Sequence, residues 1–460
     1  MVRAIFTTIA LIVLSVSTVA ASPQEEALNQ RLAGLLPRSA RWGVTVVELE
    51  GGREIARAGN VAELLIPASL VKLFVGGAAL ERVHAGQPLS LDTEILHDGS
   101  LEDGTINGNV YLRGNGNCLL SEADLQKAAE RLRQKGIARV SGGVVADDIW
   151  FDRKGLERSR KGAGYAPVSA LGMELHTVRV VVTPSMAGKP LRAYATPSNP
   201  YGRLAVTALA SGGKSKLEMV RIDDTSYRIS GNLPADSDSR SRRFELHDPA
   251  LYTAQSFAGM LSDAGIKVEK GVFRGRTPTG ATPLENIPAP EMDRFVREMN
   301  LNSLNVAADN LLLALGREDA EIGTAEKGVA ALRGHLARHG LSGQTAIVVD
   351  GSGLNPANRI TARGMAHYLA SAVKQPWFLQ LLNSLPRAGM EGTLRNSGFK
   401  NERFRAKSGN LEGVTALAGY GVDNSGRKVA FAFIANSPDP LPPNARLAGD
   451  EVMRWLAEQR

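Results

Sequence analysis

Apolar residues crowd "GVTVVEL" at 43–49 and recur in 53–58 on the far side of Gly51-Gly52, a pattern that predicts a β-hairpin. The next stretch, "LLIPASLVKLFVGGAAL" at 64–80, is almost wholly apolar and reads as a helix, with Pro67 near its start where a missing backbone donor costs nothing. From about 95 to 245 the character changes to short alternating runs, among them "NGNVYLRG", "GGVVAD", "VRVVVTP" and "SYRISGN", punctuated by Gly, Pro and Asn. Helical spacing returns in 250–264, 291–316, 325–339 and 361–373. The chain closes with "VTALAGYGV" and "KVAFAFIAN", a predicted hairpin around Asn424-Ser425-Gly426, then a helix from Ala445. Strands first, helices in the middle and strands last predict one α+β domain, 22–95 and 246–460, split by a β-rich insertion at 96–245.

The first 21 residues fall outside this domain. Arg3 precedes an apolar run from Ala4 to Val16, and small residues follow up to Ala20-Ala21. That layout predicts a cleaved secretory signal, and the run is short of the roughly 20 residues a membrane span needs. No other window is apolar enough to span, so the mature protein is expected to be exported to the periplasm, soluble or loosely membrane-associated. Cys118 is the only cysteine, which excludes an intrachain disulfide, and the fold must hold by its core. A net charge of +7 among 54 basic and 47 acidic residues names no partner. With 5% aromatic residues and no interleaving of aromatic and basic clusters, nucleic acid is not expected.

Ser69 and Lys72 sit in the middle of the apolar stretch. On a helix, positions three apart share a face, so the pair can touch while its surroundings strip water from the amine. Desolvation disfavours the ammonium. A neutral lysine can take the serine proton, and the helix N-terminus favours the anion that develops. Spacing alone does not single this pair out, because Ser211/Lys214, Ser371/Lys374 and Ser397/Lys400 repeat it. Ser211 lies in a Gly-rich turn, Ser397 in a Gly-containing loop and Ser371 late in a helix. Only Ser69 has the apolar helix-start setting.

Far downstream lie Ser303-Leu304-Asn305 and Lys407-Ser408-Gly409. The order Ser-x-x-Lys, Ser-x-Asn, Lys-Ser/Thr-Gly is the three-motif set of penicillin-recognising serine enzymes. With "PASLVKLF", "ADDIWFD", "YAPVSAL", "MNLNSLNVAADNLL", "VVDGSGLNPANRIT", "SLPRAGMEGTLR" and "AKSGNLEGVTALAGYGV", the chain resembles the class C low-molecular-mass penicillin-binding proteins. These are the type-4 D-alanyl-D-alanine carboxypeptidase/endopeptidase family, which carries a large insertion between its first two motifs. The resemblance implies a transpeptidase-like domain, an antiparallel sheet flanked by helices. It also implies hydrolysis of peptidoglycan D-alanyl-D-alanine ends, or D-alanyl cross-links, through an acyl-serine intermediate. β-Lactams would acylate the same serine, and no metal or organic cofactor is implied.

Residue by residue, the resemblance implies that Ser69 attacks the carbonyl of the penultimate D-alanine with Lys72 as its base. Ser303 would relay a proton to the leaving amine, and Asn305 would bond the substrate amide and Lys72. Lys407 would bind the terminal carboxylate directly or through Ser408, and Gly409 would let the substrate backbone approach. The backbone donors of Ser69 and Asn410 would form the oxyanion hole. Asp147 and Asp148 also read as ordinary loop carboxylates; the resemblance implies that one of them, with Asp147 preferred, points from the insertion toward the active site and would bind the free amine of a diaminopimelate-type side chain.

Three positions depart from the family pattern: Ser408 where Thr is commoner, Leu304 where a polar residue is frequent, and "GNGNC" at 114–118. Other features read as structural. His335 and His339 have the spacing of a metal pair, but the basic helix "ALRGHLARHG" predicts a solvated face. Gly351-Ser352-Gly353 lacks the outer glycine of a nucleophile elbow and reads as a strand-to-loop turn. Two rival functions stay open from sequence: a β-lactamase or esterase on the same fold, against which the insertion speaks, and a non-catalytic wall-binding protein.

Overall fold

The structure is a computed structural model that describes residues 22–152, 156, 166–317 and 321–459; the expected signal segment, 1–21, lies outside them. Six antiparallel strands form its main sheet, in the order Glu54–Gly59, Arg41–Glu48, Lys428–Asn436, Val414–Val422, Asn401–Leu411, Arg387–Ala388. Both expected hairpins are present, and Arg41–Glu48 also pairs with Lys428–Asn436, from Arg41 opposite Asn436 to Glu48 opposite Val429. Strands from the two ends of the chain therefore lie side by side.

Alternation along one strand explains the layering. Ala430, Ala432 and Ile434 face a core with the helices Val71–His84, Met292–Leu301, Asn305–Leu315, Ala325–Arg338 and Ala362–Ala372. Val429, Phe431, Phe433 and Ala435 face the opposite way, against the helices Pro23–Ala33 and Leu447–Glu458. A strand buried on both faces must be apolar where it is covered, as "VAFAFIA" at 429–435 is.

The helical stretch expected at 291–316 is two helices. The break falls at Ser303, whose φ of 56° is left-handed, and a new helix starts at Asn305. The inserted part also differs from expectation in two ways. It contains a helix, Glu122–Gln134, whose Ser121 and Asp124 form a capping box. In addition, its five-stranded sheet runs Val272–Arg274, Val144–Asp147, Val110–Gly114, Thr93–His97, Thr282–Ile287, so strands beyond residue 245 pair with inserted ones. The helix Pro249–Asp263 packs on the same core through Ala254, Phe257 and Leu261. A second, smaller inserted core gathers Val178, Val180, Val182, Ile229 and Phe244.

Candidate active site

Ser69 sits in a single 3-10 turn, Ala68–Leu70, that feeds directly into the helix Val71–His84. Ala68 is left-handed, with φ 48°, a conformation that costs an L-residue on the order of 1–2 kcal/mol and persists only where packing imposes it. Two glycines supply that packing. A Cβ on Gly353 would stand 1.9 Å from the Ala68 carbonyl oxygen and 3.1 Å from the Ser69 nitrogen. One on Gly409 would meet the Pro67 carbonyl oxygen at 2.7 Å and the Ser69 nitrogen at 3.2 Å. Only glycine at both positions lets the 409 strand and the 353 loop close on the nucleophile turn.

The Lys72 side chain is fully buried. Its Nζ lies 2.8 Å from Ser69 Oγ, 2.8 Å from Asn305 Oδ1 and 2.6 Å from the Ser352 carbonyl oxygen. The last two oxygens only accept. In a neutral amine they take the two N–H bonds and the lone pair is left facing the serine hydroxyl. This geometry is what a general base needs.

The Ser352 carbonyl is a partner that the sequence reading missed, having taken Gly351-Ser352-Gly353 as structural alone. Its loop is tightly held: Gly351 and Ser352 backbone N–H groups donate to Asp309 Oδ1 at 3.0 Å each, and Gly353 and Asn355 donate to Asp350 at 2.8 Å each. Asp309 lies one helical turn beyond Asn305, on the same face. One helix thus supplies both a lysine partner and the anchor of the loop carrying another. Burial, then the Asp309 charge, pushes the Asp350 carboxyl above its usual range. An aspartate inside the apolar "NVAADNLLLAL" was the available signal.

A second lysine faces the break between helices. Lys407, also fully buried, donates to Ser303 Oγ at 3.0 Å and to the Ser408 carbonyl at 2.7 Å. Burial, and after it the Lys72 charge, holds its ammonium well below the usual lysine range. Ser408 Oγ donates to Thr393 Oγ1 at 3.0 Å, beside a cavity of about 260 Å³ lined by Thr393, Asn396, Ser408, Asn410, Thr415 and Arg446. Asn410 is exposed, opposite Thr415 on the neighbouring strand.

Ser69, Lys72 and Asn305 thus form one group, Ser303, Lys407 and Ser408 a second, and Gly409 abuts the nucleophile turn. Asp147 is buried in the inserted sheet, where Thr277 donates to its Oδ2 from N at 2.7 Å and from Oγ1 at 2.5 Å, and Ile149 N donates to Oδ1 at 3.2 Å. One expectation is corrected: His335 and His339 are 1% and 7% exposed, not on a solvated face. Their rings pack against Tyr368 and Trp377, which neighbouring segments bring over a helix that is basic only on its outer side.

Residues 24–458 match the model of the D-Ala-D-Ala carboxypeptidase 3 (S13) family. The chain is similar to the D-alanyl-D-alanine carboxypeptidase of Actinomadura sp. (strain R39), 30% identical over 87% of this chain and 79% of that protein. Among solved structures it resembles the penicillin binding protein 4 (dacB) of Haemophilus influenzae, at TM-score 0.77 and 21% identity, covering 94% of this chain and 99% of the other. The same protein complexed with a β-lactam matches at TM-score 0.74 and 21% identity, over 94% and 99% of the two chains.

Proposed function

The chain belongs to the D-Ala-D-Ala carboxypeptidase 3 (S13) family, and from that premise we propose that Ser69 is its nucleophile and Lys72 its general base in the hydrolysis of D-alanyl-D-alanine peptides. It is a serine peptidase of the D-Ala-D-Ala carboxypeptidase type. The observation carrying the residue assignment is the Lys72 amine, held by two pure acceptors with its third direction on Ser69 Oγ.

Ser69 Oγ attacks the carbonyl of the penultimate D-alanine and passes its proton to Lys72 Nζ. The tetrahedral oxyanion accepts from the backbone N–H groups of Ser69 and Asn410, an interaction worth roughly 3 kcal/mol per donor where one has been removed. As the amide C–N bond breaks, Ser303 delivers a proton to the departing D-alanine amine, and the proton that Lys72 gained makes good the loss at the Ser303–Lys407 pair, so that Lys72 is again a neutral amine. Water then attacks the ester as Lys72 takes its proton, Lys72 returns that proton to Ser69 Oγ as the intermediate collapses, and the shortened peptide acid leaves.

Lys407 couples binding to base strength. Free, its ammonium is depressed by burial and, after that, by the Lys72 charge. A substrate carboxylate at Lys407 and Ser408 favours the Lys407 ammonium, and two buried ammoniums repel. Carboxylate binding therefore favours the neutral Lys72 amine that the attack needs.

The natural substrate in this reading is peptidoglycan, met in the periplasm. Among the described residues no helix is long and apolar enough to cross a membrane. A larger leaving amine would make the same site a DD-endopeptidase, and β-lactams would acylate Ser69. Asp147 is proposed to engage a free amine on the stem peptide; its bonds to Thr277 and Ile149 make it a positioned acceptor. The test is release of D-alanine from stem peptides with and without that free amine. The wild type is expected to cleave both, preferring the amine-bearing peptide, and Ser69→Ala and Lys72→Ala neither. Unchanged turnover by Lys72→Ala would remove the base assignment.

A further inference from the structure

The helix Val71–His84 ends on a second polar cluster, about 13 Å along its axis from Lys72 at 1.5 Å per residue. Glu81, His335 and His339 each offer a donor atom within 4.8 Å of the others. We propose that these three residues form a divalent-metal site of the zinc class, tying the helix Val71–His84 to the helix Ala325–Arg338.

The hydrogen-bond directions carry the argument. Ser371 Oγ donates to the Tyr368 carbonyl at 2.7 Å, so its oxygen can only accept from His339 Nδ1, 2.8 Å away. His339 therefore carries its proton on Nδ1 and a lone pair on Nε2. That Nε2 is buried and has no hydrogen-bond partner, and it faces Glu81 Oε1 at 3.7 Å. His335 is placed differently: its Nδ1–H donates to Glu81 Oε2 at 2.7 Å, and its Nε2 lies 3.0 Å from the Tyr368 hydroxyl. A metal at Glu81 would displace that one proton, and Nε2–H would then donate to the Tyr368 hydroxyl, which can donate onward to the Leu73 carbonyl at 3.2 Å. One imidazole nitrogen from each histidine and a Glu81 oxygen thus converge on one point.

A cation resolves this arrangement. Zinc takes nitrogen and carboxylate oxygen at about 2.0–2.2 Å in a tetrahedron, so the set needs only a small contraction. A ligating histidine fixed through its other nitrogen by a further partner is the usual design around such a metal; Ser371 and Tyr368 are those partners here. A cavity of about 760 Å³, lined by Glu81, Gln87, Gly334, His335 and Arg338 among others, gives access and room for water as fourth ligand. The opposing group is Arg338, whose Nη2 lies 2.5 Å from Glu81 Oε2. Its side chain is 60% exposed, so it can withdraw to solvent as the metal enters. Arg338 is thus a competitor that weakens the site.

The experiment titrates chelator-treated mature protein with zinc chloride by calorimetry, with thermal unfolding in parallel. One zinc per chain is expected, with a rise of several degrees in Tm. His339→Phe, which keeps the aromatic packing, should lose binding at least tenfold while benzylpenicillin acylates it as it does the wild type. Arg338→Ala should bind zinc roughly tenfold tighter. Absence of stoichiometric zinc in both the wild type and Arg338→Ala would overturn the site, as would binding that persists unchanged in His339→Phe. A drop in Tm for Arg338→Ala with no gain in affinity would identify the cluster as an ion-pair knot only.

Discussion

A neutral amine carries two N–H bonds and one lone pair, so each partner of Lys72 has a separate consequence when removed. Asp309 holds the loop that presents the Ser352 carbonyl to the amine. Asp309→Ala leaves two buried N–H groups unpaired, at about 1–3 kcal/mol each, and frees that carbonyl. A fall of roughly 10–100-fold in kcat with little change in KM is expected from steady-state kinetics, because the defect lies in the base and not in carboxylate binding. Lys407 supplies a pH dependence. Its ammonium is already depressed in the free protein, so rising pH removes the cation before the usual lysine range is reached. kcat/KM for a carboxylate-ended peptide should fall on the alkaline side below the ordinary lysine pKa of about 10.4, and an acyl donor without a carboxylate should lack this limb. These side chains were legible in the sequence because their spacing and order repeat a known chemistry. The Ser352 carbonyl was not, since a backbone acceptor requires no particular residue type and so leaves no signature.

Among elements, the nucleophile turn depends on two close approaches. Gly409→Ala drives a methyl to 2.7 Å from the Pro67 carbonyl, on a strand that can shift slightly, so acylation should slow at least tenfold while Tm changes by only a few degrees. Gly353→Ala is worse on both counts, with a 1.9 Å clash and a φ of 80° that disfavours any side chain. Thermal unfolding should show it several degrees below Gly409→Ala. Hairpins such as Val414–Val422 with Lys428–Asn436 could be read from sequence because their pairing is local and their turn residues explicit. The sheet of the insertion could not, since Val272 pairs with Val144 in parallel across more than a hundred residues and no short-range pattern records it. The helix Glu122–Gln134 was legible through its capping box but was masked by the alternating runs around it. The helix break at Ser303 has no comparable cue.

For the whole molecule, polar contacts tie the helix Asn305–Leu315 to what surrounds it. Beyond Asn305 and Asp309, Asn310 Nδ2 donates to the Gly116 and Ser169 carbonyls at 3.0 and 2.9 Å, so the helix that lines the site also anchors the inserted part. Acid should loosen the assembly at identifiable points. Hydrogen bonds from His367 and Arg363 hold the Glu54 carboxyl at about 2, which joins a strand to the helix Ala362–Ala372. A carboxyl lowered in the folded state stabilises above its unfolded pKa, and that contribution is lost as pH falls from about 4.3 towards the folded value. Tm should therefore decline across that window, and Glu54→Gln should flatten the decline while lowering Tm at neutral pH. A parallel slope in wild type and variant would contradict the assignment.

The most direct test of the account is the intact mass of the mature protein after brief exposure to benzylpenicillin, with peptide mapping of the adduct. One stable penicilloyl group is expected on the peptide containing Ser69, absent in Ser69→Ala. Acylation at any other residue would contradict it. So would an unmodified protein, with hydrolysed drug pointing to a β-lactamase and intact drug to a wall-binding protein.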